Sequence, residues 1–312
     1  MQRRKFMQQS VLAGAGVMTG LGVQAAGEGL TTAKNVSAEK TFQLDYAIHD
    51  GMFGQSAGKN FIDQIKFAYD MGFRSIEDNG MRGRDVAEQK LIGDTLAKKG
   101  MRMGVFVAHN IDWSKPTLTG RDKSKHEQFL KEIKESIEVA KRCNAKWMTV
   151  VPGVCTNNIN PDFQTAYVVD TLKRASEIIE PHGLVMVLEP LNFRDHPNLF
   201  LTNVPQGYLV CKAVASPSCK ILYDIYHAQI QVGNIIPFID EAWEEVAYFQ
   251  IGDNPGRKEP TTGEINYKNI FRHIHQKGYK GILGMEHGNA FEGKDGEMKL
   301  INAYREVDSF KV

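Results

Sequence analysis

The sequence predicts a single (β/α)8 barrel, an α/β fold, over residues 41–312. Three observations point to it. Short apolar runs alternate with amphipathic stretches eight times from Thr41 onward. Glycine follows several amphipathic stretches, as at Gly72 and Gly100, where a left-handed cap ends a helix. No early glycine-rich turn marks a doubly wound dinucleotide-binding sheet. Eight strand–helix pairs are the full count of a closed barrel, and nothing in the sequence marks the start of a second domain.

The chain has 312 residues, 42% hydrophobic and 24% charged, which excludes wholesale disorder. Lys plus Arg is 38 against 37 for Asp plus Glu, a net charge of +1. Such a balance offers no general attraction for nucleic acid or an anionic membrane. Four cysteines exclude a disulfide-built scaffold. No apolar run is long enough to cross a bilayer in the mature chain.

Residues 1–26 read as a twin-arginine signal peptide: Arg3-Arg4-Lys5 precedes a weakly hydrophobic Gly/Ala-rich stretch that ends in small residues. Loss of those three basic residues would take the net charge from +1 to −2. The expected destination is the periplasm, reached in a folded state, with no membrane attachment once the leader is gone. Residues 27–40 are small and polar, and read as a linker.

The barrel elements follow in pairs. Strand Gln43–His49 precedes helix Asn60–Met71, Ser75–Asp78 precedes Val86–Lys99, and Arg102–His109 precedes Lys123–Arg142. Lys146–Val151 pairs with Asp162–Pro181, Leu184–Glu189 with Pro205–Ala215, and Lys220–Asp224 with Ile235–Val246. Ala247–Gln250 and Tyr267–Lys277, then Gly281–Glu286 and Gly296–Phe310, complete the ring. Each strand is a short apolar run, and each helix repeats apolar residues at three- and four-residue spacing. Cys211 and Cys219 flank the turn into strand 6, where an oxidising compartment would permit a disulfide.

Barrel active sites gather where the strands end. Strands 5 to 8 end in Glu189, Asp224, Gln250 and Glu286, one oxygen donor each. Three carboxylates converging on one mouth repel unless a cation neutralises them, and oxygen donors without thiolate suit Mg²⁺ or Mn²⁺. His227, three residues after Asp224, reaches the same mouth only if the strand has already turned into a loop. There it would bind substrate or support the metal ligands. Pro255-Gly256 sets a turn presenting Arg257, whose guanidinium suits a carboxylate or paired oxygens. Glu259 would orient Arg257 or meet substrate hydroxyls, and His109, ending strand 3, is a further substrate-binding candidate.

Leu188-Glu189-Pro190-Leu191-Asn192, Asp224-Ile225-Tyr226-His227, Pro255-Gly256-Arg257-Lys258-Glu259-Pro260, Gly263-Glu264-Ile265-Asn266-Tyr267 and Glu286 together resemble the hydroxypyruvate isomerase family of xylose-isomerase-like barrels. The resemblance implies one divalent cation (Mn²⁺ or Mg²⁺, with Co²⁺ or Zn²⁺ as further candidates) on Glu189, Asp224, Gln250 and Glu286. It implies Glu189 and Glu286 as the proton-transfer pair. Related epimerases often carry His where this chain has Gln250. The implied reaction moves a proton beside a carbonyl, through an enediolate, in a small hydroxy-carbonyl compound or sugar. A sugar 3-epimerase, a keto-glycoside lyase and a non-catalytic sugar-binding barrel are the alternatives, and a homo-oligomer is compatible with any of them. An apurinic endonuclease of the same barrel type would need many His ligands and a basic face, so no nucleic-acid partner is expected.

Overall fold

The computed structural model describes residues 41–311. The leader expected over residues 1–26 and the linker over 27–40 lie outside the described residues. Eight parallel strands close in sequence order, with β1 (Tyr46–Ile48) paired to both β2 (Ser75–Ile76) and β8 (Leu283–Gly284). Between them run β3 (Arg102–Val107), β4 (Ala145–Val150), β5 (Val185–Leu188), β6 (Cys219–Asp224) and β7 (Val246–Gln250). The helices in chain order are α1 (Gly54–Ala57), α2 (Phe61–Met71), α3 (Val86–Lys99), α4 (Lys123–Cys143) and α5 (Pro161–Ile179). They continue with α6 (Val204–Val214), α7 (Ile225–Gln231), α8 (Ile235–Ala242), α9 (Tyr267–Gln276) and α10 (Gly293–Asp308).

Side-chain caps start the helices. Asn60, Asp85, Asp122, Asn160, Asn203 and Asn266 each accept a backbone N–H from the first turn. Gly72 (φ 106°) and Gly100 (φ 64°) close α2 and α3 in the left-handed region, as the sequence predicted.

Alternation along the strands makes two cores. Tyr46, Ile48, Phe106, Met148, Tyr223 and Phe249 face outward against the helices. Ala47, Val105, Val187, Leu222, Tyr248 and Ile282 face inward and pack on one another inside the ring. Asp308, ending α10, ties the last helix to the first strand. Its carboxylate accepts from Leu44 N (3.2 Å) and from the Tyr46 hydroxyl (2.8 Å), and Gln43 Nε2 donates to the Phe310 carbonyl (3.1 Å).

The departures from expectation are local. Strands 1, 2 and 8 are shorter than their apolar runs. Backbone pairing continues past the strands, with Glu77 N bonding Ile48 O (2.9 Å) and Asp78 N bonding Val105 O (3.1 Å). The helix expected over Ile235–Val246 ends at Ala242 and tightens into a 3₁₀ turn, Trp243–Glu245. Helices α1 and α7 were not foreseen. Cys211 and Cys219 form no disulfide: both are buried free thiols. Among the described residues, no helix is long and apolar enough to cross a membrane.

Candidate active site at the strand ends

The site follows from the two-residue period. Two positions beyond the inward Val187, Leu222 and Tyr248 stand Glu189, Asp224 and Gln250. Ile282 is followed at the same parity by Gly284 and then Glu286, and Ser75 by Glu77. Register sets their height. Asp224 pairs with Gln250, and Gln250 with Gly284. The inner apolar cluster therefore floors a ring of buried polar side chains.

Asp224 ends β6 and caps α7, accepting from Tyr226 N (2.8 Å) and His227 N (3.2 Å) through Oδ1. The chain thus turns straight from strand into helix, where the sequence had suggested a loop. That turn carries His227 back to the mouth. Glu189, Asp224 and His227 bring ligand atoms within 4.8 Å of one another. His227 Nδ1 accepts from both the backbone N–H (3.2 Å) and the side-chain amide (2.7 Å) of Asn192. Burial pushes this imidazole down to about 4, so it is neutral and must carry its proton on Nε2. Nε2 lies 3.6 Å from Asp224 Oδ2 and 3.9 Å from Glu189 Oε1, buried and without a hydrogen-bond partner. His227 is therefore a donor aimed into the mouth, not a lone pair for a cation.

Arg257 joins two of the carboxylates. Its Nη2 donates to Asp224 Oδ2 (2.9 Å) and Glu286 Oε2 (2.8 Å), and its Nε to the Glu286 carbonyl (3.0 Å). The guanidinium lies over the Tyr226 ring at 4.9 Å, and Tyr226 is held by Asp195 (2.9 Å). Asn79 donates to the other Glu286 oxygen (2.8 Å). Among the described residues, no hydrogen bond reaches the Glu189 carboxyl group, and Gln250 Oε1 is likewise buried and unpartnered.

Burial pushes Glu189 well above the usual carboxylate range, and the charges of Glu286 and Asp224 add to this. Burial also raises Glu286, with the Arg257 charge opposing. A divalent cation would offset the mutual repulsion that helps raise these carboxyl groups. The oxygen-rich donors Glu189, Asp224, Glu286 and Gln250 Oε1 fit such an ion. A cavity of about 250 Å³ lined by His49, Glu77, Asn79 and Glu286 reaches this ring at Glu286.

Two predicted substrate contacts are otherwise engaged. His109 uses both ring nitrogens on main chain, Nδ1 to the Asn110 carbonyl (3.1 Å) and Nε2 from Val151 N (3.3 Å). It keeps no free nitrogen for a substrate. Glu259 forms no ion pair with Arg257, which is taken up by Asp224 and Glu286. It accepts from Ala290 N (2.7 Å) and ties the β7 loop to the β8 loop, while Oε1 is buried and unpartnered. Asn192, Asn79, Asp195 and Asp253 were given no role from sequence. A side chain's place in such a network depends on partners far along the chain, which spacing does not reveal.

Residues 65–304 match the family described as xylose isomerase-like TIM barrels. The chain is 28% identical to the 2-oxo-tetronate isomerase of Pectobacterium atrosepticum over 241 residues, 76% of this chain and 89% of that one. It is 28% identical to the hydroxypyruvate isomerase of Escherichia coli over 236 residues, 73% of this chain and 88% of that one. The solved structure of 3-keto-D-glucoside 4-epimerase from E. coli shares the fold, with a TM-score of 0.70 at 16% identity over 84% of this chain and 99% of that one. With its closed eight-strand ring and isomerase relatives, the chain belongs to the xylose isomerase-like TIM barrel family.

Proposed function

We propose that this protein is a divalent-cation-dependent isomerase that moves a proton beside a carbonyl in a small hydroxy-carbonyl compound, of the 2-oxo-tetronate or hydroxypyruvate class. One observation carries the reading. Glu189 and Glu286, two buried carboxyl groups raised above their usual range, come from strands three apart to one mouth holding Arg257 and the His227 donor. Isomerases among the relatives support the class.

Glu189, Asp224, Gln250 and Glu286 would hold the cation, with Mn²⁺ or Mg²⁺ favoured by oxygen donors. Bound there, the cation supplies polarisation of the substrate carbonyl and the neighbouring hydroxyl, which acidifies the C–H between them. Glu189, which no donor restrains, takes the proton from the hydroxyl-bearing carbon. The proton taken by Glu189 returns to the former carbonyl carbon, either from Glu189 itself or passed on through Glu286, while a second proton moves from the hydroxyl oxygen to the former carbonyl oxygen. Arg257 and the His227 N–H bind the charged oxygens of the substrate. Return of the proton to its original carbon on the other face would make the product an epimer.

The test is NMR in D₂O with 2-oxo-tetronate, hydroxypyruvate and keto-sugars, with Mn²⁺ or with chelator. Chelator-sensitive deuterium entry beside the carbonyl is expected, with product identity separating isomerase from epimerase. Glu189→Gln and Glu286→Gln should each lower kcat by roughly 10²–10⁴-fold without lowering Tm. Bound metal without exchange on any of these compounds would replace the enzyme with a binding protein. The leader over residues 1–26 would place this activity in the periplasm. Arg3→Lys with Arg4→Lys should then leave the protein in the cytoplasmic fraction, and unchanged export would refute a twin-arginine route.

A further inference from the structure

Glu77 adjoins the strand-end donors through Gln250 but is not in the predicted ligand set. It is buried at the end of β2 and meets β7 across the barrel. Tyr248 donates its hydroxyl to Glu77 Oε2 (3.0 Å). Gln250 points its Nε2 between the two Glu77 oxygens, 3.4 Å from each. The seat for this carboxylate is carved out of two other strands. A Cβ at Gly284 would overlap the Glu77 carboxyl group, and a Cβ at Gly104 would overlap the Tyr248 hydroxyl. An amide has one donor end and one acceptor end. With Nε2 committed to Glu77, Gln250 keeps Oε1 on the other side, buried and without any partner.

We infer that Glu77 is a positioning residue that acts through Gln250, fixing the side-chain amide so that its oxygen, not its NH₂, is the atom offered to the cation. This rests on the proposed function only in placing a cation among the strand-end donors. A Gln at a metal site presents an attractive oxygen or a repulsive NH₂ according to a single rotation. The strand-end carboxylates need no such device, since either oxygen serves. Gln250 is the one amide in the predicted ligand set, and it alone of that set is held by Glu77.

The isosteric exchange Glu77→Gln tests this directly. The Tyr248 hydroxyl would claim the oxygen of the new amide, which turns its NH₂ toward Gln250. Gln250 must then rotate to accept and so aim its own NH₂ at the cation. Mn²⁺ affinity, read by titration calorimetry and by loss of the free-ion EPR signal, is expected to fall roughly 10- to 100-fold, the range for lost outer contacts of metal ligands. Adding Gln250→Glu should restore it to within a few-fold of wild type, because a carboxylate can accept from that NH₂ with one oxygen and offer the other. Melting of the metal-free proteins shows that each variant is folded. Glu77→Leu, which removes the acceptor altogether, should show the same loss and the same rescue if Glu77→Gln melts too low to titrate. Unchanged Mn²⁺ affinity in folded Glu77→Gln overturns the inference while leaving the cation site standing. Loss without rescue by Gln250→Glu also overturns it, since Glu77 would then act by its charge alone. Failure of the wild-type protein to bind Mn²⁺ overturns both this inference and the proposed function.

Discussion

Asp224 serves two elements with its two oxygens. Oδ1 caps α7, and Oδ2 receives the Arg257 guanidinium that also holds Glu286. Arg257 is therefore both a candidate substrate donor and an internal cation that competes for the same carboxylates. Its removal has opposite effects on two ligands. Arg257→Ala should tighten Mn²⁺ binding in the absence of substrate, since three carboxylates would face the ion with no positive neighbour. The same change should raise KM roughly 10- to 100-fold, the worth of a lost charge-assisted hydrogen bond. Calorimetry and initial rates read the two effects separately, and weaker Mn²⁺ binding would show that the guanidinium organises the site more than it competes. His227 illustrates how a neighbour decides a role. Asn192 fills its Nδ1, and the ring becomes a donor.

The loop between β7 and α9 presents Arg257 because Asp253 holds it from within. Asp253 accepts from Asn254 N (2.9 Å), Gly263 N (2.8 Å) and Ile265 N (3.1 Å), and its own N–H bonds the Lys258 carbonyl (2.7 Å). A Cβ at Gly263 would overlap the Asn254 carbonyl, so the loop closes only with glycine there. Asp253→Ala strands those amides, and a cost of about 1–3 kcal/mol is expected. Limited trypsin digestion should then cut after Arg257 or Lys258 at conditions where the wild type resists, and equal resistance would place the restraint elsewhere. At this scale the sequence was informative where spacing alone decides geometry. Glu189, Asp224, Gln250 and Glu286 were legible because each finishes a short apolar run at a strand end. The turn of α7 was not, since nothing in Asp224-Ile225-Tyr226-His227 distinguishes a loop from a capped helix until Asp224 is seen accepting two amides. Spacing alone assigned Glu77 no part in the ligand set. Its partner Tyr248 lies 171 residues away, and no local pattern connects them.

Across the whole molecule, buried imidazoles tie stability to pH. His109 is pushed down to about 4 by burial, against about 6.5 in an unfolded chain. Above pH 6.5 both states are neutral and the group contributes nothing. As pH falls from 6.5 toward 4, the unfolded chain takes up the proton while the fold refuses it, so stability falls. The slope is up to about 1.4 kcal/mol per pH unit for this one site. The raised carboxyl groups of Glu77 and Glu189 work in the opposite sense, favouring the fold at low pH. Urea midpoints from pH 7 to 4, compared between wild type and His109→Gln, isolate the histidine. The variant should lose less stability over that range, and parallel curves would show that His109 already titrates normally.

The hydrogen bonds from Gln43, Leu44 and Tyr46 to the end of α10 have a consequence for the order of the units. They join the first strand to the last helix on the face opposite the mouth, so the polypeptide behaves as a ring whose starting unit is arbitrary. The donors of the mouth come from β5 to β8 and their loops, a contiguous arc. Relinking residues 43 and 310 by a short bridge, and opening the chain on that far face between α3 and β3, would leave that arc unbroken. A new start at β3 would even place the whole donor set nearer the middle of the chain.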